Sequence, residues 1–221
     1  MAPPDLYEAM STLRAVRRLK PDPVPDDKLG RVLEAASWAP SGGNVQPWRV
    51  LVVRDRAKMA RLGEVYAAQW HAYADGHLKG IADAPEAIRI ATEKMLGAGD
   101  YLADHFAQTP VLLIFCFNPK SMAITDARLD RISVVGGASV YPAVQNALLA
   151  CRAEGLGCVL TTLLCAEEAA VRDLLSIPEP WGTAAAIPIG TPVLGGHGPI
   201  SRRPVSKLAF ADTWAEPFRS E

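Results

Sequence analysis

The longest uninterrupted apolar run in the chain is "VLLIFCF" at residues 111–117. This run is far too short to cross a bilayer as a helix, which takes about 20 residues, and it predicts a buried central strand. Two other apolar segments, "WRVLVV" at 48–53 and "WGTAAAIPIGTP" at 181–192, predict a second buried strand and the last core strand with its exit turn. Because 49% of the 221 residues are apolar, the chain can bury a full core, and we expect one domain over residues 1–221.

Helical spacing of apolar residues predicts helices between these strands. The predicted helices cover residues 5–18, 27–38, 134–154 and 167–177. Residues 56–106 are helical by composition but interrupted by "DGHLKG" and "ADAP", which is typical of a surface helical pair or of a mobile lid that faces a substrate. The segment "GLGCVLTTLL" at 155–164 predicts a glycine-rich turn followed by a strand or extended segment.

The charge balance and the residue usage argue against several functions. The chain has 23 Lys and Arg against 24 Asp and Glu, which disfavours nucleic acid and anionic membrane surfaces as partners. The start "MAPPDLYEAM" has no basic stretch followed by an apolar run, so we expect a soluble, cytoplasmic protein. The four cysteines and four histidines show no metal-ligand spacing and no catalytic-triad pattern, and we expect no metal site.

Two basic clusters lie near opposite ends of the chain. Residues 11–20 contain Arg14, Arg17, Arg18 and Lys20 without an acidic residue, and residues 197–207 contain Arg202, Arg203 and Lys207, again without one. If the fold brings the clusters together, they form a phosphate clamp, because guanidinium groups match phosphate oxygens. A solvated basic face explains the same pattern equally well.

The loop "APSGGNVQPW" at 39–48 has features of a wall for a flat ligand. Backbone amides at Gly42 and Gly43 can approach a planar ring closely, and Pro40 offers a rigid apolar surface. Asn44 and Gln46 each present a donor and an acceptor, which suits the edge of a pyrimidine-like ring. An Asx turn would explain the loop alone, but together with the two basic clusters it favours a nucleotide-like cofactor. Neither G-x-G-x-x-G after a strand nor a P-loop motif is present.

In order along the chain, "RAVRR", "PVPDDKL", "AASWAPSGGNVQPW", a helix ending in "GLG", "IPIGTP" and "SRRP" resemble the FMN-dependent nitroreductase family over residues 7–208. The resemblance implies an α+β fold with a mixed, largely antiparallel central sheet flanked by helices. It also implies an intertwined homodimer that holds one FMN at each of two interfacial sites. The tail, residues 195–221, would then pack on the partner subunit.

The resemblance also assigns cofactor-binding residues. Arg14 and Arg17 would hold the FMN phosphate from one end of the chain and Arg202 or Arg203 from the other. The ring and ribityl chain would be lined by the 39–48 loop (Pro40, Ser41, Gly42, Asn44 and Gln46), partly across to the second subunit's flavin, and Thr161 and Thr162 would approach the ring with backbone groups. The family commonly has Arg and Ser where this chain has Leu13 and Ala15. Arg14 or Arg18 would therefore substitute.

The implied activity is an NAD(P)H:acceptor oxidoreductase with ping-pong kinetics that acts on small electron-poor acceptors such as nitroaromatics or quinones. No side chain of the protein is expected to be catalytic, because hydride passes through N5 of the flavin. Substrate choice would depend on the aromatic residues Tyr66, Trp70, Tyr73 and Tyr101. Two alternatives remain: a specialised flavoenzyme of the same fold, of dehalogenase, dehydrogenase or flavin-fragmenting type, and a flavin-binding module without turnover.

Overall fold

The computed structural model describes residues 3–218 and contains one four-stranded sheet flanked by helices. Its strands are β1 (Trp48–Val53), β2 (Val111–Phe117), β3 (Gly157–Cys158) and β4 (Gly182–Gly190), in the spatial order β1-β2-β4-β3. Each neighbouring pair in the described chain is antiparallel. The three strands predicted from apolar runs are present, and the "VLLIFCF" strand lies inside the sheet, as expected. The predicted burial of the 48–53 strand is wrong, because β1 is an edge strand and only Val53 of it is buried.

Helices cover both faces of the sheet because successive side chains of a strand point to opposite faces. Leu113 and Phe115 of β2 pack in one core cluster with Val32 and Ala36, whereas Leu112 belongs to the opposite cluster, which α3 also lines. The helices are α1 (Leu6–Thr12), α2 (Asp26–Ser37), α3 (Arg56–Gly80), α4 (Glu86–His105), α5 (Tyr141–Ala153) and α6 (Glu168–Leu175). Within residues 3–218, no helix combines the length and the apolar content that crossing a membrane requires.

The first helix is shorter than the predicted 5–18, because α1 ends at Thr12. The rest of that segment is extended and pairs with distant parts of the chain. Val16 N–H donates to the carbonyl of Cys158 at 2.9 Å, and Lys20 N–H donates to that of Thr191 at 2.8 Å. These tertiary hydrogen bonds replace helical ones, and apolar spacing alone does not reveal them.

The stretch 56–106 forms two long helices that pack on the sheet. The "DGHLKG" segment does not break α3, which continues to Gly80, because an isolated glycine inside a helix is tolerated. The break falls at residues 81–85, where Pro85 precedes α4. Met59 and Leu62 of α3 are fully buried, so this end of the pair belongs to the core. A lid role for the remainder stays a prediction.

The predicted helix 134–154 is also shorter, because α5 begins at Tyr141. A short 3₁₀ segment, Val135–Ser139, precedes it. Gly136 and Gly137 favour a turn over a helix at this point, and Pro142 is accommodated in the first turn of α5.

Candidate functional site

A cavity of about 220 Å³ lies where the extended segment after α1, helix α3 and the turn after β3 meet. Its lining brings together six residues that the sequence analysis assigned to the cofactor or the substrate: Arg17, Tyr66, Trp70, Tyr73, Thr161 and Thr162. Met95, Val159, Leu160 and Leu163 complete the lining. Arg17 supplies the only charged side chain of this lining, so the cavity combines one cation with aromatic and aliphatic surface.

The turn after β3 is held rigidly by the sheet. Thr161 N–H donates to the carbonyl of Ala186 at 2.9 Å, and Ala186 N–H donates back to Thr161 at 2.8 Å. The Thr161 hydroxyl accepts from Leu163 N–H at 3.3 Å. Thr161 is therefore buried, whereas Thr162 is exposed at the cavity.

Tyr66 is buried on the α3 side of the cavity, and its ring stacks on Phe106 with centroids 4.3 Å apart. Burial raises the pKa of Tyr66, whereas a hydrogen bond with Thr161 and the charge of Arg17 lower it by less. The phenol therefore stays protonated at neutral pH. It presents a neutral hydroxyl beside Thr161 and Arg17, which makes this wall of the cavity polar.

Trp70 and Tyr73 form an aromatic wall along the same helix. Their ring centroids lie 5.6 Å apart, and the exposed fraction rises from 5% at Trp70 to 43% at Tyr73. The wall thus runs from the buried part of the cavity to its rim. A planar aromatic molecule can pack against it, because offset and tilted aromatic contacts are favourable.

The other ten predicted site residues do not line this cavity. Two of them, Arg18 and Tyr101, contact each other. The guanidinium of Arg18 lies 4.2 Å from the centroid of the Tyr101 ring, and Tyr101 stacks on His105 at 4.0 Å. This cation–π contact fastens the extended segment to α4. No local sequence pattern sets the register between these two elements, so the sequence analysis did not predict the contact.

The two ends of the chain lie side by side, as the clamp hypothesis requires. Val193 N–H donates to the carbonyl of Arg18 at 3.0 Å, and Gly198 N–H donates to that of Thr12 at 2.9 Å. The guanidinium of Arg14 lies beside Gly198. Arg202 and Arg203 follow on the same segment and are exposed, and Nη1 of Arg202 donates to the carbonyl of Ser201 at 2.8 Å.

The 39–48 loop is an ordered, exposed turn. The Ser41 hydroxyl accepts from Gln46 N–H at 2.8 Å, and the Gln46 amide donates to Oδ1 of Asn44 at 2.9 Å. Gly42 N–H donates to the Ser139 hydroxyl at 3.1 Å, which fixes the loop to the 3₁₀ segment before α5. Pro40, Gly42, Asn44 and Gln46 are exposed and Ser41 is partly exposed. These contacts do not form an Asx turn, because Oδ1 of Asn44 accepts from a side-chain amide and not from a backbone N–H. The loop remains open to a ligand or a second chain.

A second, larger cavity of about 680 Å³ was not foreseen from the sequence. Its lining is mainly apolar and includes Phe117, Met122, Ile124, Val134, Tyr141, Thr162 and Cys165. Thr162 lines both cavities, so the two adjoin at that residue. In the sequence, the apolar residues of the loop before α5 are the feature that could have indicated this cavity.

The thiols are held as protonated core groups. Cys116, Cys151 and Cys158 are buried and Cys165 is partly buried. Burial raises the pKa of Cys165, and burial together with the charge of Glu168 raises that of Cys116 to about 11. A thiolate nucleophile is disfavoured at neutral pH.

Comparison with known proteins identifies relatives of this chain and supports its fold. Residues 12–191 match the family profile described as "Nitroreductase family". An NADH dehydrogenase from Thermus thermophilus is 31% identical over 207 residues, which cover 93% of this chain and 95% of that protein. A 5,6-dimethylbenzimidazole synthase from Rhodobacter capsulatus is 30% identical over 210 residues, which cover 90% and 88%. A structure from Desulfovibrio desulfuricans solved in complex with FMN is 24% identical, with a TM-score of 0.65 over 96% of this chain and 98% of that one. The structural likeness confirms the expected fold.

Proposed function

Because the chain belongs to the nitroreductase family, we propose that it is an FMN-dependent oxidoreductase that accepts hydride from NAD(P)H and passes it to a small electron-poor acceptor such as a nitroaromatic or a quinone. The supporting observation is the cavity of about 220 Å³ in which Arg17 and the Thr161–Thr162 turn face the aromatic wall of α3. This combination of one cation, backbone groups and flat rings suits a planar, electron-accepting ring with polar edges.

The residues around this cavity fit FMN chemically. Arg17, which the resemblance assigns to the phosphate, lines the cavity, and we propose instead that its guanidinium donates to an acceptor at the ring edge. Backbone groups at Thr162 would contact the ring, since that residue is exposed at the cavity. Val159 and Leu160 supply the apolar surface that a tricyclic ring needs. When bound, FMN supplies the acceptance and delivery of hydride.

The phosphate would be held by the adjacent chain ends. Arg14 lies beside Gly198, and the exposed Arg202 and Arg203 follow a few residues later. Arg18 is the weaker candidate for this role, because its guanidinium is stacked on Tyr101. The planar fork of a guanidinium group matches the oxygens of a phosphate.

A second copy of the chain would complete the site. The exposed loop residues Pro40, Ser41, Gly42, Asn44 and Gln46 would contact the ring and ribityl chain of the partner's flavin. The tail supports a homodimer as well, because Trp214 is 86% exposed and stacks on Phe210 at 5.1 Å. Exposed aromatic residues on a short tail favour burial against another surface. Residues 219–221 of the predicted tail lie outside the described residues.

In the proposed reaction the protein orients groups and excludes water. Tyr66, which is buried and neutral, would hold the turn at Thr161 through hydrogen bonding. Trp70 and Tyr73 would hold the nicotinamide and then the acceptor against the same surface, which favours ping-pong kinetics. Tyr101 would act on the substrate only indirectly, through the position of α4. No proton transfer from the protein is required.

One comparison favours a specialised reaction as the second candidate. The 30% identity to 5,6-dimethylbenzimidazole synthase extends over 88% of that protein, so the fold and length match an enzyme of different activity. A specialised enzyme would show little turnover with NADH and a nitroaromatic in the steady state. A flavin-binding module without turnover would not be reduced by NADH or by NADPH.

The decisive experiment is the visible spectrum of the purified protein with added FMN, before and after anaerobic addition of NADH or NADPH. We expect a bound flavin spectrum that bleaches with at least one of the two, followed by reoxidation in a screen of nitroaromatics and quinones. A colourless protein that takes up no FMN would contradict the proposal.

A further inference from the structure

The imidazole of His197 links two distant parts of the chain. Its Nδ1 accepts a hydrogen bond from the backbone N–H of Arg14 at 3.4 Å, and its Nε2 lies 2.8 Å from the carbonyl oxygen of Leu156. The ring is partly buried. His197 belongs to the C-terminal basic segment, Arg14 to the N-terminal one, and Leu156 to the turn before β3.

These two partners fix the tautomer of the ring. A backbone N–H can only donate, so Nδ1 must carry a lone pair, and a carbonyl oxygen can only accept, so Nε2 must carry the proton. Both hydrogen bonds therefore form only with the neutral Nε2–H imidazole. Protonation at Nδ1 removes the bond to Arg14 and leaves two N–H donors facing each other.

The chain around His197 is closely packed. Val16 N–H donates to the carbonyl of Cys158 and Gly198 N–H to that of Thr12, both at 2.9 Å. A Cβ added to Gly157 would lie 2.7 Å from the side chains of Val16 and Leu19. The two arginine-bearing segments and the turn thus form one layered unit, with His197 at its junction.

We propose that neutral His197 is a positioning residue, which clasps the arginine-bearing segments 12–20 and 191–203 together, and that protonation of its Nδ1 opens this clasp. The effect on flavin binding rests on the proposed function, because it requires that the arginines hold the FMN phosphate. The clasp itself does not depend on the proposed function, because the hydrogen bonds of His197 are made within the chain.

The charges that face His197 favour the neutral ring. Arg14 comes from the extended segment and Arg152 from α5, and Arg152 is in turn paired with Glu8 of α1 at 3.4 Å. The turn that carries Leu156 has no titratable side chain between residues 155 and 157. Burial, and then the charges of Arg152 and Arg14, lower the pKa of His197 below its usual value, against the opposing effect of the bond to Leu156.

The sign of the pH dependence follows from this lowered pKa. Between the folded and the unfolded pKa the unfolded chain binds more protons, so stability rises with pH. The clasp is complete above the unfolded pKa of about 6.5 and is lost as the pH falls through the lower, folded one. The clasp therefore opens on acidification from pH 7.5 through the folded pKa of His197.

The test uses the flavin-free full chain and three variants. Amide hydrogen exchange of Arg14 and Gly198 is measured in steps from pH 7.5 down to pH 4.5 and corrected for intrinsic exchange in wild type, His197→Gln, His197→Ala and the exposed control His71→Gln. Glutamine can donate and accept as neutral histidine does but cannot be protonated. We expect protection in wild type and His71→Gln to fall about fivefold or more as the pH falls through the folded pKa of His197, the effect of one lost hydrogen bond. It should stay constant in His197→Gln and be low throughout the series in His197→Ala.

FMN affinity of the same proteins gives the second measurement. The FMN phosphate itself titrates near pH 6, so the informative quantity is the excess loss of affinity in wild type over His197→Gln, which we expect to be about fivefold. Equal pH responses in wild type and His197→Gln, or wild-type protection in His197→Ala, would overturn the clasp. If wild type binds no FMN at pH 7.5, the proposed function fails, and the amide protection still decides the clasp.

Discussion

The indole Nε1–H of Trp70 donates a 2.7 Å hydrogen bond to Oδ1 of Asp100. The ring edge occupies the space beside Gly99, where no side chain is present. This contact joins α3 to α4 at the point where the aromatic wall of the cavity begins. The orientation of Trp70 is therefore set by the neighbouring helix.

Replacing Asp100 with alanine should destabilise the protein by about 1.5 kcal/mol, the lower range for a hydrogen bond to a charged group, because the carboxylate is partly exposed. Urea denaturation of the flavin-free chain measures the change in the free energy of unfolding. Asp104→Ala is the matched control, since Asp104 lies one turn further along α4 and is exposed; its effect should stay within about 0.5 kcal/mol. Equal effects of the two substitutions would show that the Trp70 contact contributes nothing.

Gly99 and Gly97 provide a second matched pair on the same helix. A Cβ at Gly99 would lie 1.9 Å from the Trp70 ring, whereas a Cβ at Gly97 has nothing within 4 Å. Gly99→Ala should therefore destabilise by about 1–3 kcal/mol through overpacking. Gly97→Ala should stabilise by about 0.5–1 kcal/mol, because alanine favours the helix. Thermal unfolding of both variants measures the difference, and the same sign for both would contradict the packing argument.

The sequence predicted best where local pattern and burial coincide. The apolar run at 111–117 coincides with β2, whose residues are buried or half-buried. The bounds of the strand at 48–53 are also exact, but its predicted burial is wrong, because β1 lies at the edge of the sheet and only its last residue, Val53, is buried. Residues 13–18 were wrongly predicted as helix, because the hydrogen-bond partners of Val16 and Arg18 are Cys158 and Val193, far along the chain. No local pattern encodes such pairing.

The sequence analysis also identified part of the set of residues that line the cavity of about 220 Å³. Family motifs placed Arg17 and Thr161 in one functional group, and the structure places both at one cavity. The positions of Arg18, on Tyr101, and of His197, on Leu156, depend on the register between separate segments. That register is set by tertiary packing, so neither contact could be read from the sequence.

Ser133 should control the acid response of the loop before α5. Its hydroxyl donates to Oδ1 of Asp126 at 2.7 Å, and Arg131 pairs with Oδ2 at 2.7 Å. The Ser133 hydrogen bond, and then Arg131, lower the pKa of Asp126. This contribution to stability is present above the unfolded pKa of about 3.9 and is lost as the pH falls through the folded value.

Ser133→Ala should thus raise the pKa of Asp126 and destabilise the protein at pH 7, and its difference from wild type should be smaller at pH 3, where the unfolded chain is largely protonated at Asp126. Urea denaturation at both pH values, with the carboxyl titration followed by NMR, measures this. Ser121→Ala is the control, because Ser121 is exposed in the same loop. A destabilisation that persists unchanged at pH 3 would refute the assigned hydrogen bond.

Tyr73 should affect acceptor binding more than turnover. The side chain lies at the rim of the aromatic wall and contacts Trp70 at 5.6 Å. Tyr73→Leu removes one aromatic surface, worth about 0.5–1.5 kcal/mol, and should raise KM for a nitroaromatic roughly two- to tenfold with kcat little changed. Tyr7→Leu is the control, because Tyr7 is 81% exposed on α1. A fall in kcat at constant KM would place Tyr73 outside the acceptor site.

Arg17 should be the strongest single determinant of flavin binding among the cavity residues, because its guanidinium is the only charge in the lining. Arg17→Ala should weaken FMN binding about tenfold or more, the effect of losing a charge-assisted hydrogen bond, and Arg17→Lys should recover part of it. Fluorescence titration with FMN measures the dissociation constants. Arg128→Ala, at an exposed loop position, removes the same net charge and should leave affinity unchanged. If both alanine variants weaken binding equally, overall charge rather than the cavity attracts the flavin.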